Sequence, residues 1–296
     1  KIIPYLSKYD VIHVHLFPAL YWVAFAKFLS FSKTPLFYTE HCTTNRRRDK
    51  WILRIFDRFA YRRYKSIIAC SDKSKETFNE TYPMIRIESI PNGINLASFN
   101  KTETIRRDLL FEITEPCFIT TMVSRFNYID GFYHKRQDVL IRAMAELPEV
   151  FHLVLVGGHE DELGVIKAKE LCEQYKVTSR VHFLYTRDDI PNILLGSDVI
   201  ALSSDFEGLS LASIEGMASG KPFLASDVDG LREVVGGAGI LVKPEDVAGF
   251  VESLQKLYND RDYYELVAKR CKARASEYDV HKVVSDYLDV YSRFVQ

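Results

Sequence analysis

Val199-Ile-Ala-Leu-Ser-Ser-Asp-Phe-Glu-Gly-Leu-Ser-Leu-Ala-Ser-Ile-Glu-Gly-Met-Ala-Ser-Gly-Lys-Pro-Phe-Leu-Ala225 contains a whole structural repeat of an α/β protein. Val199 to Leu202 are apolar without alternation, the pattern of a strand covered on both faces. A polar turn follows through Glu207 and Gly208. A helix is expected from near Leu209, with Leu211, Ile214 and Met217 supplying its apolar positions. A second apolar run follows at 223–225. Strand, helix and strand in this order make a right-handed crossover between parallel strands.

The same alternation runs along the chain. Runs at 11–16, 36–39, 66–70, 87–90, 118–123, 152–156, 181–184, 199–202, 223–225 and 240–242 read as strands. Amphipathic stretches such as 137–145 and 165–175 lie between them. Ten strands are many for one open sheet, so two doubly wound domains are expected. The charge is split in the same way: net −1 overall, but +8 over the first hundred residues and −9 over the rest. The expected boundaries are 1–98 for the first domain, 99–116 for a linker, 117–279 for the second domain and 280–296 for a last helix. That helix places Val280, Val283, Val284, Tyr287, Tyr291 and Phe294 on one face.

With 296 residues, 47% hydrophobic and 13% aromatic, the chain can bury a sizeable core, which excludes disorder as its main state. The most apolar window, 16–31, is interrupted by Pro18 and Lys27 and falls short of the ~20 residues a spanning helix needs. The five cysteines are widely spaced and form no C-x-x-C pair, which argues against a disulfide framework or structural zinc and suits a reducing compartment. A cytoplasmic protein is expected. The chain starts at Lys1 without a signal-peptide pattern and is expected to be processed or cut.

Ligands of open α/β sheets bind beyond the carboxyl ends of the strands. After the strand at 199–202, Glu207 and Glu215 stand with seven residues between them. The backbone N–H groups of Gly208, Leu209 and Ser210 open the helix as an anion site. A diphosphate there, with hydroxyl-rich groups at both ends, describes a nucleotide sugar; the bland alternative is a turn Glu and a surface Glu. Gly216 to Lys221 only superficially resembles a phosphate loop, because its glycines are one residue too close and Pro222 replaces the required Ser or Thr.

Arg125 follows another strand end, and Lys135 precedes the next helix. Two fixed cations there suit a diphosphate and its charge as it leaves; the alternative is a pair of surface cations. His41, in Thr39-Glu-His41, ends a strand and is either a substrate contact or a structural histidine. His13 and His15 share a strand face, but no third ligand is evident and no metal is expected. Residues 46–65 alternate Lys and Arg with Trp51, Ile52, Ile55, Phe56 and Phe59. Arg54, Arg58 and Arg62 recur on one helix face, which suits an anionic membrane surface or lipid, or a solvated helix. No nucleic-acid motif is present.

Taken in order, Asp10-Val-Ile-His-Val-His15, Thr39-Glu-His41, Ile68-Ala-Cys-Ser71, Ile90-Pro-Asn-Gly-Ile-Asn95, Val123-Ser-Arg125, residues 135–143, Leu155-Val-Gly157, Glu207 with Glu215, and Gly220-Lys-Pro222 resemble the retaining glycosyltransferases of family four. That resemblance implies the GT-B fold: two Rossmann-like domains with a cleft between them, the first domain incomplete here, and a last helix that returns to it. It implies that Arg125 and Lys135 bind the donor diphosphate, Glu215 the ribose and Glu207 the transferred sugar. The backbone of Gly208, Leu209 and Ser210 would contact phosphate and sugar, and His41 the donor sugar near the reacting carbon. It further implies a UDP- or GDP-linked sugar as donor substrate, no cofactor and no metal. The implied acceptor is a glycan or lipid-linked molecule, used at the inner face of the cytoplasmic membrane.

The chain departs from the family in places. Arg136 follows Lys135 where the family usually has Gly, and Tyr185 stands where Gly is common. Residues 127–133 read as an extra loop, and the family's first strand–helix units have no counterpart before Lys1. A nucleotide-sugar epimerase of the same fold and a non-catalytic nucleotide-sugar binding module are the rival readings.

Overall fold

A computed structural model describes residues 2–41, 50–100, 107–113 and 115–295. The chain divides into two compact units, Lys1–Gly93 with Val280–Gln296, and Ile94–Asp279.

In the first unit, β1 (Ile12–His15), α1 (Ala19–Ser30), β2 (Leu36–Glu40), α2 (Trp51–Tyr61), β3 (Ser66–Ala69), α3 (Asp72–Thr81) and β4 (Ile87–Ser89) alternate. The four strands form one parallel sheet in chain order. Period-two side-chain direction divides the core. Leu36, Tyr38, Ile67 and Ala69 face the three helices, while Phe37 and Ile68 face the other way. Ser71 caps α3 by accepting the Ser74 N–H. Asp57, buried on the inner face of α2, accepts the hydroxyls of Tyr21 and Tyr82, which satisfies a carboxylate that would otherwise be costly to bury.

The second unit contains α4 (Arg107–Phe111), β5 (Phe118–Val123), β6 (Tyr128–Ile129), β7 (Phe132–Tyr133), α5 (Gln137–Glu146), β8 (Phe151–Val156), α6 (Leu163–Gln174), β9 (Val181–Tyr185), α7 (Ile190–Gly196), β10 (Val199–Leu202), α8 (Leu211–Ala218), β11 (Phe223–Ser226), α9 (Asp229–Val235), β12 (Ile240–Val242), α10 (Val247–Asn259) and α11 (Arg261–Ala275). Its parallel sheet has the order β12-β11-β10-β5-β8-β9. The strand order reverses at β5, which makes the ends of β5 and β10 the switch point where ligands bind in such sheets.

Three corrections follow. The chain divides after Gly93. The described part of the expected linker belongs to the second unit, because Phe111 is buried with Ile119, Val154 and Ile193 and Arg107 pairs with Asp198 at 2.7 Å. The supposed loop at 127–133 is a hairpin of β6 and β7, turned by Asp130 and Gly131 at φ 53° and 89°. Asp-Gly favours this two-residue turn, a signal present in the sequence but overlooked.

The last helix, α12 (Val280–Ser292), buries Val283 and Val290 against Phe37, Ile68 and Ile90 of the first unit. Val284, expected on this face, is exposed. Among the described residues, β1 pairs only with β2.

Candidate active site

The loop after β10 and the start of α5 are stitched together. Lys135 Nζ lies 2.6 Å from Glu207 Oε1, and both side chains are largely buried. The Ser204 hydroxyl donates to the same oxygen at 2.8 Å. The Ser203 hydroxyl donates to the Arg136 carbonyl at 2.7 Å, which fixes the backbone beside Lys135. The Gln137 amide donates to the Arg125 carbonyl at 2.9 Å and to the Ser124 hydroxyl at 3.0 Å, holding the end of β5 against α5.

The expected residues are distributed as follows. Lys135 and Glu207 are in contact. The exposed Arg125 follows β5, and its guanidinium pairs with no described residue. Glu215 lies in the second turn of α8 and is half-buried; burial raises its carboxyl above the usual range. Among the described residues no ion pair joins it to Arg125 or Lys135. α8 starts at Leu211, two residues later than expected, because Ser210 takes the cap position with extended backbone. Gly208, Leu209 and Ser210 therefore form the turn ahead of the helix, with Leu209 and Ser210 buried.

Both departures from glycine fall where the backbone is left-handed: Arg136 has φ 53° and Tyr185 φ 52°. Glycine takes this conformation without the steric cost other residues incur. Arg136 compensates with ion pairs to Asp138 at 3.0 Å, Asp205 at 3.1 Å and Glu245 at 2.6 Å. The bonds to Asp138, then the Glu245 bond, raise its pKa against the pull of burial. Tyr185 compensates through its hydroxyl, which accepts from Lys169 at 2.9 Å and donates to Glu160 at 3.0 Å. Asp205 lies two residues before Glu207, so Arg136 also ties down the Glu207 loop.

Sequence reading assigned no packing role to the glycines behind the ends of β5 and β10. A Cβ on Gly230 in α9 would come within 1.7 Å of the Gly208 carbonyl oxygen. A Cβ on Gly157 would come within 2.1 Å of the Ser124 carbonyl oxygen, and one on Gly164 within 1.9 Å of that of Phe126. Such approaches link residues far apart in sequence.

His41 lies in the first unit with its Nε2 3.1 Å from His15 Nδ1. The rings of His13 and His15 stack at 4.4 Å. His13 also bonds the Tyr291 hydroxyl and, at 2.8 Å, the Thr39 hydroxyl. Burial, then His15 and His41, push His13 down to about 3; burial also lowers His15 and His41, the latter with help from His15. In all three rings burial disfavours the charged form. Of residues 46–65, the first four lie outside the described residues.

Residues 1–98 match the family model described as Glycosyltransferase Family 4, and residues 118–260 the one described as Glycosyl transferases group 1. Both models describe glycosyltransferase domains. The chain is 29% identical over 231 residues to the D-inositol 3-phosphate glycosyltransferase of Salinispora tropica, covering 71% of this chain and 46% of that protein. It is 25% identical to an Escherichia coli UDP-Gal:alpha-D-GlcNAc-diphosphoundecaprenol alpha-1,3-galactosyltransferase, covering 96% of this chain and 76% of that protein. The chain thus spans about half the length of the first of these relatives. Among solved structures, Anabaena HepE in complex with UDP superposes with a TM-score of 0.87 at 24% identity, over 99% of this chain and 81% of that one. The fold class is GT-B.

Proposed function

We propose that the chain transfers a sugar from a UDP- or GDP-linked donor to a glycan or lipid-linked acceptor, with retention at the anomeric carbon and without a metal or cofactor. The observation that carries this reading is the Lys135–Glu207 contact at the switch point of the second sheet. Arg125 and Lys135 neutralise the diphosphate, helped by the start of α8. Glu215, poorly solvated, accepts the ribose hydroxyls, and Glu207, held by Lys135 and Ser204, accepts those of the transferred sugar. In this reading the sugar leaves and the acceptor attacks on the same face, and the departing phosphate oxygen takes the acceptor proton. Glu207 positions the sugar and is not a nucleophile. His41 contacts the donor sugar near the reacting carbon.

The UDP bound by HepE supports a uridine donor, and the E. coli relative's name supports an acceptor built on a lipid diphosphate. Peripheral contact with the inner face of the cytoplasmic membrane through residues 46–65 belongs to the same reading. Among the described residues no helix is long and apolar enough to cross a membrane. Glu207→Ala is expected to abolish transfer and keep nucleotide binding, measured by product formation and calorimetry; unchanged turnover would refute the role of Glu207.

A further inference from the structure

α1 and α2 lie side by side over the first sheet, yet their outer faces are apolar. Trp22 and Phe25 on α1, and Ile55 and Phe56 on α2, are each half or more exposed. With Phe17 and Phe59 they line an open groove of about 640 Å³. A patch of this kind on a water-soluble protein marks a contact surface.

Among the described residues of the two helices, the exposed charge has one sign. α1 contains no acidic residue, and the only one in α2, Asp57, is buried between Tyr21 and Tyr82. Exposed Arg54, Arg58 and Arg62 follow α2, while the Arg63 guanidinium covers the rings of Phe28 and Phe59 at 5.0 and 4.7 Å. A second copy of the chain would bring these cations against their own kind. A bilayer with anionic head groups supplies negative charge at the rim and hydrocarbon beneath it. The groove begins at Phe17, two residues after His15, so a lipid-borne head group would emerge beside the His15–His41 pair.

We infer that the outer face of α1 and α2 inserts into an anionic bilayer, with Trp22, Phe25 and Phe56 entering the head-group boundary and the arginine row binding the lipid phosphates. This rests on the peripheral-membrane part of the proposed function and adds the apolar face of α1 as the inserting element.

Flotation of the full chain with vesicles tests it. Vesicles mixing phosphatidylglycerol into phosphatidylcholine are expected to carry the chain, and pure phosphatidylcholine vesicles to carry little. Removing two cations with Arg58→Ala and Arg62→Ala should weaken anionic-vesicle binding about thirtyfold. Trp22→Ser, Phe25→Ser and Phe56→Ser together should abolish it at low and high salt, with thermal stability unchanged because all three side chains are exposed. Donor binding, measured by calorimetry on the same variants, should not change, which separates this inference from the transferase reading. No flotation of the wild-type chain, or full flotation of both variants, would overturn the inference. A wild-type dimer in sedimentation velocity that the apolar variant dissolves would also overturn it, assigning the face to a second copy.

Discussion

The two units are built on the same plan and finished differently. The second brackets β5 and β10 with partners on both sides and buries nearly all of their side chains. Among the described residues the first gives β1 a single neighbour, β2, and holds most of the large apolar side chains left exposed. Burial disfavours the charged form of its ring cluster, whereas the second unit fixes its site with ion pairs. A sheet finished on both sides can hold a few polar groups in fixed positions. The first unit's exposed apolar side chains give it surface to offer a partner.

Acid should separate the units most strongly. His13 binds its proton at about 3 in the folded unit, against an ordinary 6.5. As pH falls below about 6.5 the unfolded chain gains the proton first, so stability present above that pH is lost progressively down to about 3. The loss approaches about 5 kcal/mol, and His15 and His41 act in the same direction. His182, down to about 4 through burial and His152, gives the second unit a smaller effect of the same sign. Both tryptophans, Trp22 and Trp51, lie in the first unit. Their fluorescence should therefore report unfolding at higher pH than exchange protection of β5 does. Coincident transitions would erase the contrast.

The next effect concerns close packing in the second unit. Gly230→Ala places a methyl group against the Gly208 carbonyl, although alanine favours helix. The variant should lose about 2 kcal/mol, the range for overpacking, and transfer should fall with it as the Glu207 turn is displaced. Gly237→Ala, where φ is 77° and a Cβ meets nothing within 4 Å, brings backbone strain of about 1 kcal/mol without a clash at the turn, and as the comparison should leave transfer intact. Equal activity in both variants would show that the α9 contact does not position the turn.

Much of this was legible from the chain. The ten apolar runs became ten strands because a strand buried on both faces needs no partner information to be recognised. Lys135 and Glu207 were legible as residues at strand and helix ends, but their 2.6 Å contact was not, because it depends on how β5 and β10 lie side by side. The hairpin of β6 and β7 was hidden by its two-residue strands. The start of α8 was misplaced because Ser210, not the preceding turn, takes the cap position. Arg136 read as a departure at a glycine position; only the backbone angle explains what glycine would do there, and only the fold brings Asp205 and Glu245 to it.

The edge of the first sheet gives a third contrast. Amides of β1 that do not face β2 lack a strand partner among the described residues, whereas β5 is paired with β8 and β10. Hydrogen exchange in Ile12–His15 should be at least about tenfold faster than in Phe118–Val123. Equal protection would mean that something covers the edge of β1.

The smallest effect separates strain from ion pairing at Arg136. Replacing it by Gly removes the ion pairs to Asp138, Asp205 and Glu245 and also the left-handed strain, worth about 1 kcal/mol. Replacing it by Ala removes the same pairs and keeps the strain. Arg136→Gly should therefore be more stable than Arg136→Ala by about 1 kcal/mol, read as a difference in denaturant midpoint. Both should bind donor more weakly than the wild type, because Asp205 no longer ties the Glu207 loop to α5. If Ala matches Gly in stability, the backbone at Arg136 is not strained. If donor affinity is unchanged in both, the Lys135–Glu207 contact alone suffices to hold the loop.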